Sequence, residues 1–174
     1  MGNMLYRKYR LYEDGMEIMV PSHLHILTEE KNRNGQEARM GDTFVSNYNW
    51  ISADRRVVIN VTGGGNEVTQ ESLLSRLQEY YDGFKNQVTE FECLKVTKRR
   101  INGYDYGELQ YRSETMGYGF FTIFIMGIYE GREVILTLQC MERDRKDWMP
   151  IFMNISESLR ILRKKNQEKQ EEQI

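Results

Sequence analysis

The chain has 174 residues, 40% of them apolar and 11% aromatic, with 26 acidic against 24 basic side chains and a formal charge of −2. That composition suits one globular domain with a full core, and it excludes a disordered chain or one drawn to nucleic acid or anionic membranes by overall positive charge. No stretch reaches the ~18 apolar residues of a membrane span, and MGNMLYRKYRLYEDG is charged from Arg7 onward with no signal-peptide run, so a cytoplasmic protein is expected.

Polar and apolar residues alternate from Met4 to Tyr12, the period-two sign of a half-buried strand. EDG turns the chain, and Met16 to Val20 returns as a second strand ending at Pro21, so a hairpin opens the domain. SHLHILTEE admits either a short helix or an irregular segment. Lys31 to Asp42 carries no apolar periodicity and reads as a long loop. Thr43 to Ile51 and Arg56 to Val61 follow as strands joined across SADR.

Next, Leu73, Leu74, Leu77, Tyr80, Tyr81 and Phe84 recur at helical spacing, with Thr69 as N-cap. Gly63, Gly64 and Gly65 precede this helix and raise the question of a phosphate cradle. The Lys and Ser/Thr pair that a P-loop needs does not follow Gly65, and G-x-G-x-x-G is absent, so the glycines read as a flexible connection.

Phe91 to Ile101, an Asn-Gly turn and Tyr104 to Tyr111 form the strongest hairpin signal in the chain. Tyr118 to Tyr129 is apolar on both alternating faces, which demands a central strand covered from above and below, with Gly119 and Gly127 as points where a helix packs close. Glu130-Gly131 turns it back into a strand whose Val134, Leu136, Leu138 and Cys140 share one face. A last helix starts near Trp148, keeps Pro150 in its first turn, and carries the stripe Trp148, Ile151, Phe152, Ile155, Leu159 and Leu162. One globular domain over residues 1–165 and a polar tail over 166–174 are expected.

Chemical motifs are sparse. MGYGFFTI approaches the RNP1 pattern of RNA-recognition domains, but Met116 stands where a cation should meet phosphate, and the order of strands and helices is wrong for that fold. The basic stretch KVTKRR reads as a charged edge strand, so nucleic acid is not the expected partner. Cys93 and Cys140 are too few for a disulfide framework, and with His23 and His25 they lack the close-paired spacing of a zinc site. No cofactor, no metal and no catalytic residue is assigned. Tyr104, Asp105 and Tyr106 beside a turn could line a pocket, but aromatic packing at a hairpin end explains them more simply.

The order of these elements, with MEIMVP in the first hairpin and WMPIFMNISESLRIL in the last helix, resembles the Mog/PsbP-like group. That group includes the import factor Mog, the photosystem protein PsbP and the bacterial DcrB and Eag-like proteins. The resemblance implies an α+β fold, an antiparallel β-sheet packed between helices as an α/β/α sandwich. It also implies binding rather than catalysis, with a chaperone-like role of the Eag kind as one form. A protein partner would want adaptable apolar surface, for which Met16, Met19, Met149 and Met153 are the candidates, gap-filling in the core being their alternative role. The competing expectation is a small-ligand binder or enzyme with a pocket near the Gly63–Gly65 and Asn102–Asp105 turns.

Overall fold

The computed structural model describes residues 4–27, 39–40, 43–44 and 47–162. In chain order the strands are β1 (Tyr6–Leu11), β2 (Met16–Pro21), β3 (His25–Ile26), β4 (Arg39–Met40), β5 (Thr43–Phe44), β6 (Asn47–Ile51) and β7 (Val58–Thr62). Helix α1 (Leu73–Gln87) follows, then β8 (Glu92–Ile101), β9 (Tyr104–Thr115), β10 (Tyr118–Tyr129) and β11 (Arg132–Met141). A short 3-10 turn (Glu142–Asp144) leads into α2 (Arg145–Glu157), and β12 (Arg160–Ile161) comes last. The expected Lys31–Asp42 loop falls mostly outside the described residues, as does the 166–174 tail.

Seven strands form the main sheet in the order β3-β6-β7-β11-β10-β9-β8, all neighbours antiparallel. Three two-residue turns set its register. Asn102-Gly103, Met116-Gly117 and Glu130-Gly131 each hold both residues at positive φ, the mirror-image turn whose twist matches that of the strands it joins. Glycine at the second position takes that conformation without a steric penalty.

β10 is covered on both faces, as its two-sided apolarity requires. Phe124 and Met126 meet Leu73 and Leu77 of α1, with Leu109 and Tyr111 of β9 beside them. Phe121, Ile123 and Ile125 point the other way, into a larger core with Trp50, Leu136, Leu138, Cys140, Phe152 and Ile155. Each large apolar side chain buried this way stabilises the fold by roughly 1.5–3 kcal/mol relative to exposure.

The main sheet does lie between helices, as expected, but helices alone do not cover it. Among the described residues a single helix, α1, covers one face, whereas the other is shared between α2 and a three-stranded sheet, β1-β2-β12, whose Leu11, Met16, Ile18 and Val20 enter the larger core. The architecture is therefore sheet-dominated α+β.

Both helices depart from their expected limits. Ser72, not Thr69, occupies the N-cap of α1, and the two are instead joined in a hydrogen-bonded turn one step earlier, Ser72 N donating to Thr69 Oγ1 at 3.2 Å. Leu74 lies outside the buried stripe, exposed. α2 starts at Arg145, so Pro150 falls in its second turn, where it forgoes one backbone bond on the solvent side. The helix also stops early. Ser158 ends it, and the chain straightens into β12, which pairs with Glu17 and Met16 of β2.

The close approaches also fall elsewhere. A Cβ on Gly127 would overlap the Tyr106 ring of the neighbouring strand, and one on Gly119 would meet Glu142 at 3.2 Å. The glycine beneath a helix is Gly107, where a Cβ would stand 2.9 Å from Leu77 of α1.

Candidate functional site

The helical period of α2 sorts its side chains into three sets. Trp148, Phe152 and Ile155 pack into or against the core, joined by Leu159 just beyond the helix. Asn154 and Ser158 reach the first hairpin, Asn154 Nδ2 donating to Tyr6 Oη at 3.3 Å and Ser158 Oγ accepting from Met19 N at 2.9 Å. Met149 and Met153, one turn apart on the opposite flank, remain half-buried.

These two methionines and Pro150 line a groove of about 540 Å³ rimmed by Glu142, Arg143, Arg145 and Lys146. Arg145 is anchored, its guanidinium 4.6 Å above the Phe121 ring and its Nη1 3.3 Å from Glu142 Oε1. Arg143 and Lys146 are exposed, and neither belongs to an ion pair among the described residues. The result is an apolar trough whose rim carries two cations with no ion-pair partner among the described residues. Methionine suits such a surface because its unbranched thioether adapts to irregular partners.

The four candidate methionines thus separate. Met149 and Met153 are brought together in the groove. Met16 is fully buried on the inner face of β2, and Met19 is 37% exposed on the outer face, at the hairpin flank of α2. Arg143 and Lys146 were missed in sequence, although their spacing one turn apart before Met149 is the pattern of a shared helical rim.

The residues of the two turns in the competing expectation take part in packing and hydrogen bonds. Gly63 fits under Tyr12, and Gly65 lies against Glu133. The Asn102 side chain donates to the carbonyls of Glu157 and Leu159, at 2.9 and 2.8 Å, holding the end of α2. A groove at this end of the sheet is lined by Glu67, Val68, Thr69, Ser72, Glu130, Gly131 and Arg132. It borders the turns without including them, Arg132 Nη1 donating to the Gly65 carbonyl at 3.0 Å and Gln70 Nε2 to Asp105 Oδ2 at 3.3 Å.

Buried carboxylates are held by cations rather than set against one another. Glu133 is bound by Arg76 and accepts from Tyr80 Oη at 2.7 Å. Glu108 is met by Arg99 at 2.9 Å and Lys95 at 3.8 Å. Burial, then the bond to Glu133, pushes the Tyr80 phenol up to about 12. A smaller cavity of about 260 Å³ brings His23, Asp54 and Trp148 together. There Ser52 Oγ donates to Asp54 at 2.6 Å, a bond that, with the Arg56 amide, holds the Asp54 carboxyl below its ordinary range and closes the β6–β7 turn. His23 lies beside Trp148, with ring centroids 6.2 Å apart.

Cys93 and Cys140 are free thiols on opposite faces of the main sheet. Two strands separate them. Burial pushes the Cys140 thiol up to about 12. Among the described residues, no group of three or more His, Cys, Asp or Glu side chains is placed to hold a metal ion, and no helix is long and apolar enough to cross a membrane.

No protein-family model and no curated protein matches the sequence. Solved structures do match in shape. PsbP (CyanoP) from Synechocystis sp. PCC 6803 aligns with a TM-score of 0.63 at 14% identity, over 92% of this chain and 95% of its own. A Pseudomonas aeruginosa protein of unknown function, PA94, described as a putative regulator, aligns at 0.60 and 14%, over 91% and 98%. The Ran-binding protein Mog1p of Saccharomyces cerevisiae aligns at 0.52 and 9%, over 91% and 96%. The order of strands and helices, the two-sided central strand and these shared shapes together give the chain the Mog/PsbP-like fold.

Proposed function

We propose that the chain is a non-enzymatic, chaperone-like protein-binding module that seats an apolar segment of a partner polypeptide in the α2 groove. The observation that carries this is the pairing of Met149 and Met153 on a half-buried flank with the exposed Arg143 and Lys146 on its rim. Apolar residues of the partner would lie on the methionines, and its carboxylates would face the two cations. The description of Mog1p as Ran-binding agrees with a binding role for this fold.

The test compares the tagged protein with a Met149→Asp/Met153→Asp variant in extracts of its own cell, read by mass spectrometry and paired with a thermal melt. A stoichiometric partner held by the parent and lost by the equally stable variant is expected. Retention by both, or no stoichiometric partner at all, counts against the groove.

A further inference from the structure

The main sheet ends on one side at β8, a ten-residue strand with β9 on one edge and, among the described residues, no strand on the other. The Asn102-Gly103 turn is closed by the pair Ile101–Tyr104, so β8 points the backbone groups of Ile101, Arg99 and Thr97 at β9 and those of Arg100, Lys98 and Val96 outward. Among the described residues these outward groups have one partner, Thr97 Oγ1, which donates to the Lys98 carbonyl at 3.2 Å.

The side chains on the α1 side of this edge belong to the same three residues. Val96 is 50% exposed. Lys98 and Arg100 share a single carboxylate, Asp105, at 3.4 Å each, so cations outnumber anions there two to one. On the opposite side, Arg99 and Lys95 are balanced by the buried Glu108 and by Glu157, 3.6 Å from Arg99, so the excess of positive charge lies on the α1 side. A second copy of the chain paired on this edge would set lysine and arginine against lysine and arginine, which the field opposes.

From this we infer that the outer edge of β8 binds an extended acidic segment of a partner polypeptide, added antiparallel as an eighth strand. Every neighbouring pair in the sheet is antiparallel, and continuing that pattern fixes the recognised sequence. Reading from its N-terminus, the segment carries a carboxylate opposite Arg100, a second opposite Lys98 two residues on, and an apolar side chain opposite Val96 after two more. The backbone bonds supply affinity, and the shared excess of positive charge selects the acidic segment over a neutral or basic one. This edge is separate from the α2 groove and does not depend on it.

The probe is a labelled dodecapeptide with Glu-Ser-Glu-Thr-Val at its centre, titrated into the full chain and followed by fluorescence anisotropy. Saturable binding is expected, weakening on the order of tenfold between low and high salt. The same peptide with Lys in place of Glu should bind at least tenfold more weakly. Methylating the amide nitrogens of the two Glu residues, which face β8, should abolish binding, whereas methylating those of Ser and Thr should leave it intact. In the protein, Lys98→Pro removes an outward N–H without breaking a bond to β9 and should also abolish binding, while Met149→Asp/Met153→Asp should not alter it. Equal binding of the Glu and Lys peptides, indifference to which amides are methylated, or no binding by the acidic peptide overturns the assignment. If Lys98→Pro does not fold, the methylated peptides decide the matter with the unaltered chain.

Discussion

Ser158 Oγ sits 2.9 Å from the backbone nitrogen of Met19, occupying the position beside β2 that a further residue of β12 would otherwise fill. The same hydroxyl lies 2.6 Å from the Ile155 carbonyl, so one side chain closes α2 and extends the edge of a sheet. Ser158→Ala removes both roles while keeping the backbone conformation. A loss of about 1–2 kcal/mol in urea unfolding is expected, and Ser158→Thr, which retains the hydroxyl, should recover part of it.

Tyr106 and Tyr80 make opposite predictions for the same substitution. The Tyr106 ring is buried over Gly127, and its hydroxyl has no hydrogen-bond partner among the described residues. Tyr106→Phe removes an unsatisfied polar atom, so thermal stability should stay level or rise. Tyr80→Phe deletes the bond to Glu133 and should cost about 1–2 kcal/mol. Gly127→Ala should cost about 1–3 kcal/mol, since the added methyl overlaps the Tyr106 ring.

Arg76→Met tests the buried acid more severely. Glu133 is only 2% exposed, and without the guanidinium it keeps just Tyr80 as a charge-stabilising side chain. Loss of about 3 kcal/mol is expected in denaturant unfolding, and Arg76→Met/Glu133→Leu should restore much of it by removing the stranded charge together with its partner.

Alkaline pH should loosen the fold through protons that the native state retains. The Tyr80 phenol is raised to about 12 from 10.0 and the Cys140 thiol to about 12 from 9.0, and burial also raises Tyr12, Tyr106 and Tyr111. Each group is favoured as its neutral form inside the protein, so its contribution is complete below the unfolded pKa and is lost as pH climbs through the folded one. Unfolding free energy should therefore decline from about pH 9 towards 12. Tyrosinate absorbance should develop in part only with unfolding, and Tyr80→Phe should flatten the decline.

The first hairpin carries a local strain that can be relieved. Tyr12, Glu13 and Asp14 all sit at positive φ, between 52° and 65°, and Glu13 is exposed. Glu13→Gly should raise stability by about 0.5–1 kcal/mol, measured as a shift of the melting temperature, because glycine enters this region without Cβ crowding.

These positions also show where sequence reasoning reaches. β10 was legible because a strand apolar at both parities has few other homes, and the Asn-Gly and Glu-Gly turns announce the hairpins beside it. β12 was not, because Leu159 and Leu162 continue the helical spacing of α2, and only pairing with Glu17 and Met16 draws the chain out of that helix. The groove was half visible. Met149 and Met153 fall off the apolar stripe, which can be counted in the sequence, but the burial of Met16 depends on which face of β2 meets the sheet. Ion pairs such as Arg76 with Glu133 join residues distant in sequence and leave no local periodicity to find.

β12 joins late-made chain to early-made chain. The Met19–Ser158 contact spans 139 residues, and the ladder between β12 and β2 closes a loop of similar size. During synthesis the opening hairpin must wait for almost the whole domain to leave the ribosome before its free edge is occupied, and its apolar inner face needs the rest of the core just as long. Folding should accordingly be slow and governed by this long-range closure. A chain cut after Glu157 would expose the β2 edge in the same way as a nascent one, making truncation products the species most prone to intermolecular strand exchange.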